Sequence, residues 1–169
     1  VGLKGTPAAM PSQWVVVSGT LLGPGASIAG LDLRGGNFRG WNLAGIDMTG
    51  TNLAGADLTS AKLGGAKLIG ADLTGAKLTG ASVDGADFSQ ATLTGVTTGS
   101  LTTARGTGAA ATTVPPVLPP GWALHGGFLA GPGAKLARVN LAGANLAGVD
   151  LTGADLTAAV TGPLPYGQE

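Results

Sequence analysis

From Ala26 to Gly95 an apolar residue returns at every fifth position, fourteen times without a gap. The unit reads small–polar–Leu–small–Gly, as in Thr51-Asn-Leu-Ala-Gly and Ala71-Asp-Leu-Thr-Gly. Five more units run from Ala134 to Ala158. A period of five matches neither a helix, which repeats near 3.6, nor a strand, which repeats at 2. One Leu in five can keep facing one interior only if the chain turns a corner at each unit. Gly at the fifth position suits that corner, because it tolerates backbone angles that other residues avoid. Four corners close a square of twenty residues, and stacked squares pair like parallel strands at a spacing of roughly 4.8 Å. The pattern therefore predicts an all-β, parallel solenoid. Its inward ladder is Leu33, Phe38, Leu43, Met48, Leu53, Leu58, Leu63, Leu68, Leu73, Leu78, Val83, Phe88 and Leu93. It resumes at Leu136, Leu141, Leu146, Leu151 and Leu156. The small residue two places before each of these shares the interior, and the other three positions face solvent.

These pentads resemble those of the pentapeptide-repeat family. The resemblance implies a right-handed quadrilateral β-helix with four pentads per coil. It places Leu53 to Leu78 inside, with Ala56, Ala61, Ala66, Ala71 and Ala76 beside them. Leu31, Trp41 and Ile46 are large where the family has small residues, and all lie in one coil. That coil is expected to be wider or near an end; the alternative for Trp41 is stacking on a ligand.

A longer repeat is laid over the short one. Met10–Ala26 matches Leu118–Ala134 at a constant offset of 108: Trp14 with Trp122, Gly19 with Gly127, Leu21 with Leu129, Gly23-Pro-Gly with Gly131-Pro-Gly. Each copy is expected to form an irregular opening coil. Residues 1–95 then hold one opening coil and fourteen pentads, and residues 96–120 form a Thr/Gly/Pro-rich joint. Residues 121–160 hold a second opening coil with five pentads, and 161–169 a Pro/Gly-rich tail. Leu164-Pro-Tyr-Gly in that tail echoes Leu118-Pro-Pro-Gly, so another module is expected to follow. The first residue is Val rather than Met, which suggests a processed or excised chain. Trp14, Trp122 and Tyr166 are candidate capping or assembly residues, as plugs over a coil or anchors at a contact.

Nine basic and nine acidic residues cancel, so nothing in the balance calls for nucleic acid or an anionic membrane. No stretch reads as a transmembrane helix or a signal peptide. At a spacing of twenty, Asp47, Lys67 and Asp87 stack, as do Asp57 with Lys77, and Asp32, Asn52 and Asp72. Opposite charges across adjacent strands would fix the register. Some members of the family imitate DNA and bind gyrase, and gyrase docking is the alternative function here. Mimicry asks for a long acidic column, because a duplex carries a charge every ~1.7 Å. Lysines interrupt two of these columns. Thr59 over Thr79, and Thr74 over Thr94, are too few for an ice-binding plane.

Little points to chemistry. There is no Cys and a single His, His125, whose counterpart in the first copy is Val17. Neither a metal set nor a Ser-His-Asp triad can be assembled. Gly25-Ala-Ser-Ile-Ala29 falls short of a nucleophile elbow, and Gly131-Pro-Gly-Ala-Lys135 has the wrong spacing for a phosphate loop. No catalysis and no cofactor are expected. A solenoid end exposes unpaired strand edges unless a cap covers it, and no capping helix is legible at either terminus. The resulting expectation is a non-enzymatic structural rod, outside the cell or on its surface, stacking head to tail with itself.

Overall fold

The computed structural model describes residues 15–17, 20–22, 25–105 and 112–162. Within it the pentads wind into a four-sided solenoid whose sides are too short to be strands. Each side makes one parallel bridge per coil, and the bridges recur at twenty residues. The first side stacks Ser27, Asp47, Lys67 and Asp87; the second stacks Asp32, Asn52, Asp72 and Thr92. The third stacks Asn37, Asp57, Lys77 and Thr97, and the fourth Asn42, Lys62, Ser82 and Thr102.

One pentad shows how the coil is made. Leu53 donates its N–H to Asp72 in the next coil at 2.7 Å, and Asn52 donates to Leu31 in the previous one at 2.9 Å. The chain then turns: the Ala56 N–H returns to the Leu53 carbonyl at 2.9 Å. Gly55, third residue of that turn, has φ of 68°. A turn with positive φ at its third position is the kind that selects Gly there. Ser60, Gln90, Arg138 and Ala158 take the same corner with φ between 56° and 63°. Stacking of coils holds them there.

The ladder from Leu33 to Leu93 is buried throughout, with Leu58, Leu63, Leu68, Leu73 and Leu78 fully enclosed. Ala56, Ala61, Ala66, Ala71 and Ala76 are enclosed beside them. The three large residues Leu31, Trp41 and Ile46 separate, and Ile46 already opens the second coil, since its neighbour Asp47 stacks on Ser27. Ile46 is buried, Leu31 is 40% exposed, and Trp41 is half-buried with its ring edge-on to Phe38 at 5.3 Å. Gly36 makes room for Phe38, whose ring lies within 2.5 Å of where a Gly36 side chain would begin. Trp41 is thus a packing partner of Phe38. Thr51, beneath Leu31, is fully buried and donates its hydroxyl to the Ile28 carbonyl at 2.9 Å.

The segment 96–120 does not leave the solenoid at its start. Val96 and Leu101 belong to the same core as the pentads before them, and Thr97 and Thr102 bridge to Lys77 and Ser82. The chain makes two excursions and returns to register after each. Val117 stacks on Asp87, thirty residues earlier instead of twenty, and the ten extra residues hold an antiparallel pair, Ala104–Arg105 with Thr112–Thr113. Lys135 stacks on Thr97 with an offset of thirty-eight, so eight more residues are added. They are the hairpin of Ala123–His125 with Phe128–Ala130. Asp155 then stacks on Lys135, and Val160 on Asn140, at twenty again.

Each copy of the longer repeat holds an antiparallel strand pair within the segment expected to coil irregularly. Val15–Val17 pairs with Thr20–Leu22, and the partners Val15–Leu22, Val16–Leu21 and Val17–Thr20 match Ala123–Ala130, Leu124–Leu129 and His125–Phe128. A spacing of five between Val16 and Leu21 is therefore a cross-strand pair and not a step of the ladder. In the second hairpin Gly126 and Gly127 both have positive φ, 53° and 80°, as a two-residue hairpin turn favours.

Candidate functional site

A search for reactive groups comes first. Among the described residues no group of His, Cys, Asp and Glu could hold a metal ion, and every buried polar side-chain atom has a partner. Among the described residues no helix is long and apolar enough to cross a membrane. His125 lies in the second hairpin, half-buried and paired with Phe128.

The walls are quiet because their carboxylates are already engaged. The stacking of Asp47, Lys67 and Asp87 is present, yet the only ion pair among the described residues is Arg34 with Asp32 at 2.7 Å, on the exposed wall. The polar pentad residue instead caps its own corner. Asp47 accepts the Thr49 N–H at 3.0 Å, Asp57 that of Thr59 at 3.0 Å, and Asp87 that of Ser89 at 2.9 Å. Asn37, Asn42, Asn52 and Asn140 do the same with a neutral amide. The pattern is the side-chain to backbone i to i+2 bond that makes Asn and Asp turn formers. Thr49 holds the Asp47 carboxyl below its ordinary value, first through its hydroxyl and then through its N–H, and the attraction of Lys67 adds least. Asp57, Asp150 and Asp155 are lowered in the same way by Thr59, Thr152 and Thr157. Asp and Asn alternate freely along the walls because either residue closes the corner.

Two side chains not singled out by the pentad pattern fasten the excursions. Asp84, 3% exposed, accepts the Val114 N–H at 2.8 Å and anchors the return of the first excursion. Its sequence signal is an acid where neighbouring pentads carry Thr, Gly or Ile. Thr98 occupies a core position and accepts the Leu129 N–H at 3.0 Å. Its signal is a hydroxyl in the Leu column.

The candidate residues scatter. Trp14 and Tyr166 lie outside the described residues. Trp122 does not cover an open end. It lies inside the stack and packs against both the core of the long run and the core of the short one. The ring occupies the space over Gly131, 2.0 Å from where a side chain there would begin. Only Gly fits under it.

What remains is the first and last described coils, and they differ. In the first coil Ile28, Leu33, Phe38 and Leu43 are 1–7% exposed. In the last, residues 145–160, Leu146 and Leu151 are half-buried and Leu156 is 37% exposed, unlike the enclosed ladder expected from the repeat. Leu136, one coil earlier on the same side as Leu156, is fully buried. The N–H groups of Phe38, Leu58, Leu78 and Leu136 donate to the following coil. That of Leu156 makes no such bond among the described residues. The last described coil thus carries more exposed apolar side chains than the coils before it.

Three solved structures are similar to this chain, two of them described as pentapeptide-repeat proteins. HetL, involved in heterocyst differentiation regulation in the cyanobacterium Nostoc, is 25% identical over 80% of this chain and 47% of its own, with a TM-score of 0.33. A pentapeptide-repeat protein of the Arabidopsis thaliana thylakoid lumen is 26% identical over 80% of this chain and 64% of its own, with a TM-score of 0.26. QnrB1, a plasmid-mediated fluoroquinolone resistance protein, is 14% identical over 78% and 84%, with a TM-score of 0.34. The chain thus spans less than two thirds of the length of the first two. Among curated protein sequences, none matches it. The family model for pentapeptide repeats matches residues 26–65, 56–95 and 133–160, more than half of the sequence. Together with the bridges at twenty residues, this match makes the chain a member of the pentapeptide-repeat family, a right-handed quadrilateral β-helix.

Proposed function

We propose that this protein is a non-enzymatic structural rod that associates end to end with copies of itself into a filament. The observation that supports the reading is the apolar surface of the last described coil, where Leu156 is 37% exposed while Leu136, one coil earlier, is fully buried. Apolar surface of that kind gains free energy when covered, at about 25 cal/mol per Å². An end that pairs with the opposite end of the next copy makes a heterologous contact, which propagates instead of closing. The walls favour this outcome. The formal net charge is zero, so copies do not repel strongly, and the wall carboxylates are occupied by their own corners. Association is therefore directed to the ends. A filament of this kind serves outside the cell or on its surface.

Docking of gyrase by imitation of DNA draws no support from the walls. Lys67 separates Asp47 from Asp87, and Lys77 follows Asp57, so no unbroken acidic column forms.

Light scattering over a rising protein concentration tests the rod, with electron microscopy of the same samples. Growth of the scattering mass with concentration, and filaments about as wide as one solenoid, are expected. A species that stays monomeric at every concentration would overturn the reading and turn attention to a docked macromolecular partner.

A further inference from the structure

Bonding between coils is uneven in the layer that follows the Pro-rich segment 114–120. On the first side, the layer before it is paired in both directions. Phe88 donates its N–H to the Val117 carbonyl at 2.8 Å, and the Val117 N–H donates to the Ala86 carbonyl at 2.9 Å. One coil later the first side passes to Asn145, which lies between Asn140 on the fourth side and Asp155 on the third. By the same pattern Leu118 would donate to the Asn145 carbonyl, and Asn145 to that of Pro116. Neither bond forms. Among the described residues no backbone bond joins 114–120 to 143–149, and both edges of this gap are described throughout.

The other sides of the same layer hold. On the third side Leu136 donates to Asp155, Asp155 to Ala134 and Arg138 to Thr157, each at 2.9 Å. On the fourth, Leu141 donates to Val160 at 2.7 Å and Val160 to Val139 at 2.9 Å. The second side keeps Asp150 to Gly121 at 3.0 Å. The cause of the gap is legible in the residues. Pro115, Pro116, Pro119 and Pro120 have no N–H to donate. Pro115 stands where Gly85 stands one coil earlier, and Gly85 donates forward to the Val114 carbonyl at 2.8 Å. Pro116 stands where Ala86 closes its turn onto Val83 at 3.0 Å. The apolar interior divides at the same level. Leu118 packs on the core of the long run and Leu146 on that of the short one. Among the described residues Trp122 alone packs against both.

We propose that this gap is a hinge line: residues 143–149 part from the Pro-rich strap 114–120 on the first side, turning about the paired third side with Trp122 as the pivot. Local opening follows the line where backbone bonds are fewest. The Trp122 ring, seated over Gly131, keeps the two cores attached while the first side separates. The solenoid therefore bends in one direction, toward its third side. The hinge is a property of the single molecule and stands apart from the rod reading, so either can fail without the other.

The chain has no Cys, so paired spin labels can be placed without background. Ser27→Cys with Asn145→Cys spans five coils along the first side, and Asn37→Cys with Asp155→Cys spans five along the third, about 24 Å in each case at roughly 4.8 Å per coil. Each double variant is diluted in an excess of unlabelled parent, so that only distances within one molecule are read by pulsed electron spin resonance. The first-side pair is expected to give a distribution at least about twice as broad as the third-side pair, with its tail at longer distances. Fraying of the last coil would instead broaden the third-side pair, because Asp155 lies further along the chain than Asn145. Amide exchange in the unsubstituted protein supplies a second readout. The Val149 and Val139 N–H groups close equivalent corners, onto Leu146 at 3.0 Å and Leu136 at 3.1 Å. Val149 is expected to exchange at least about tenfold faster than Val139. Equal widths for the two label pairs, or a Val149 protected as well as Val139, would overturn the hinge.

Discussion

At the scale of single residues, the corner governs what each position accepts. Ser60, Gln90, Arg138 and Ala158 hold a backbone conformation that costs an L-residue roughly 1 kcal/mol relative to Gly. Gln90 is exposed. Gln90→Gly is therefore expected to raise stability by up to about 1 kcal/mol, partly offset by the greater freedom of Gly in the unfolded chain. An unchanged or lowered midpoint in urea would show that strain at the corner is not stored there. The corner-capping carboxylates add a dependence on pH. Thr49, Thr59, Thr152 and Thr157 lower the carboxyls of Asp47, Asp57, Asp150 and Asp155, so their folded values lie below the unfolded value near 4. Their contribution is complete above that unfolded value. It is lost as the pH falls from there through the depressed folded values. Thermal melts from pH 7 to pH 2 are expected to show the loss below about pH 4. Asp57→Asn, which keeps an acceptor as Asn52 does, is expected to shed its share of the acid sensitivity without unfolding the corner. An undiminished acid loss in Asp57→Asn would assign the effect elsewhere.

At the scale of the element, a coil is a ring of four corners around a shared apolar interior, and each ladder residue touches the coils before and after it. Leu63 is fully buried in the middle of the stack. Leu63→Asp is expected to destabilise by several kcal/mol, because an unpaired charge would enter an interior without water or partner. Leu63→Ala leaves a cavity instead and is expected to cost about 2–5 kcal/mol. A parent-like urea midpoint for Leu63→Asp would contradict the inward register of the whole ladder. The hairpins follow a different rule. They carry cross-strand pairs, and the second seats against residues 98–101 through the Leu101 N–H to Gly127 carbonyl and Leu129 N–H to Thr98 hydroxyl bonds. The spacing of five between Val16 and Leu21 fits either element. Gly126-Gly127 was the distinguishing mark, since successive glycines suit a hairpin turn better than a single pentad corner.

For the whole molecule, continuity of stacking matters more than division into modules. Interruptions of ten and eight residues leave the sides aligned, because each excursion starts and finishes at a corner and its backbone bonds are met by Asp84 and Thr98. Trp122 then bridges the cores on either side. The last described coil is the exception, with its ladder residues more exposed than those before them. In the concentration series that tests the rod, Leu156→Asp is expected to leave the monomer nearly as stable as the parent, since the residue is already 37% exposed. The same change is expected to abolish growth of the scattering mass, because the charge would have to be buried at every junction.

The sequence by itself determined the solenoid, its four sides, the stacking at twenty residues and the identity of the ladder. The reason is that a strict period leaves one geometry in which every fifth side chain reaches a common interior. The 108-residue repeat was equally legible, though not the hairpins it encodes, because a short apolar spacing does not separate a turn of solenoid from a cross-strand pair. Tertiary structure decided the rest. It decided that Asp57 caps a corner before it meets Lys77, since a backbone N–H two residues away is nearer than an ammonium in the next coil. It decided that Trp122 sits within the stack, because Gly131 leaves room there. It decided that Leu136 is fully buried, because the coil of Asp155 stacks on its following side, while Leu156 in the same pentad motif is 37% exposed.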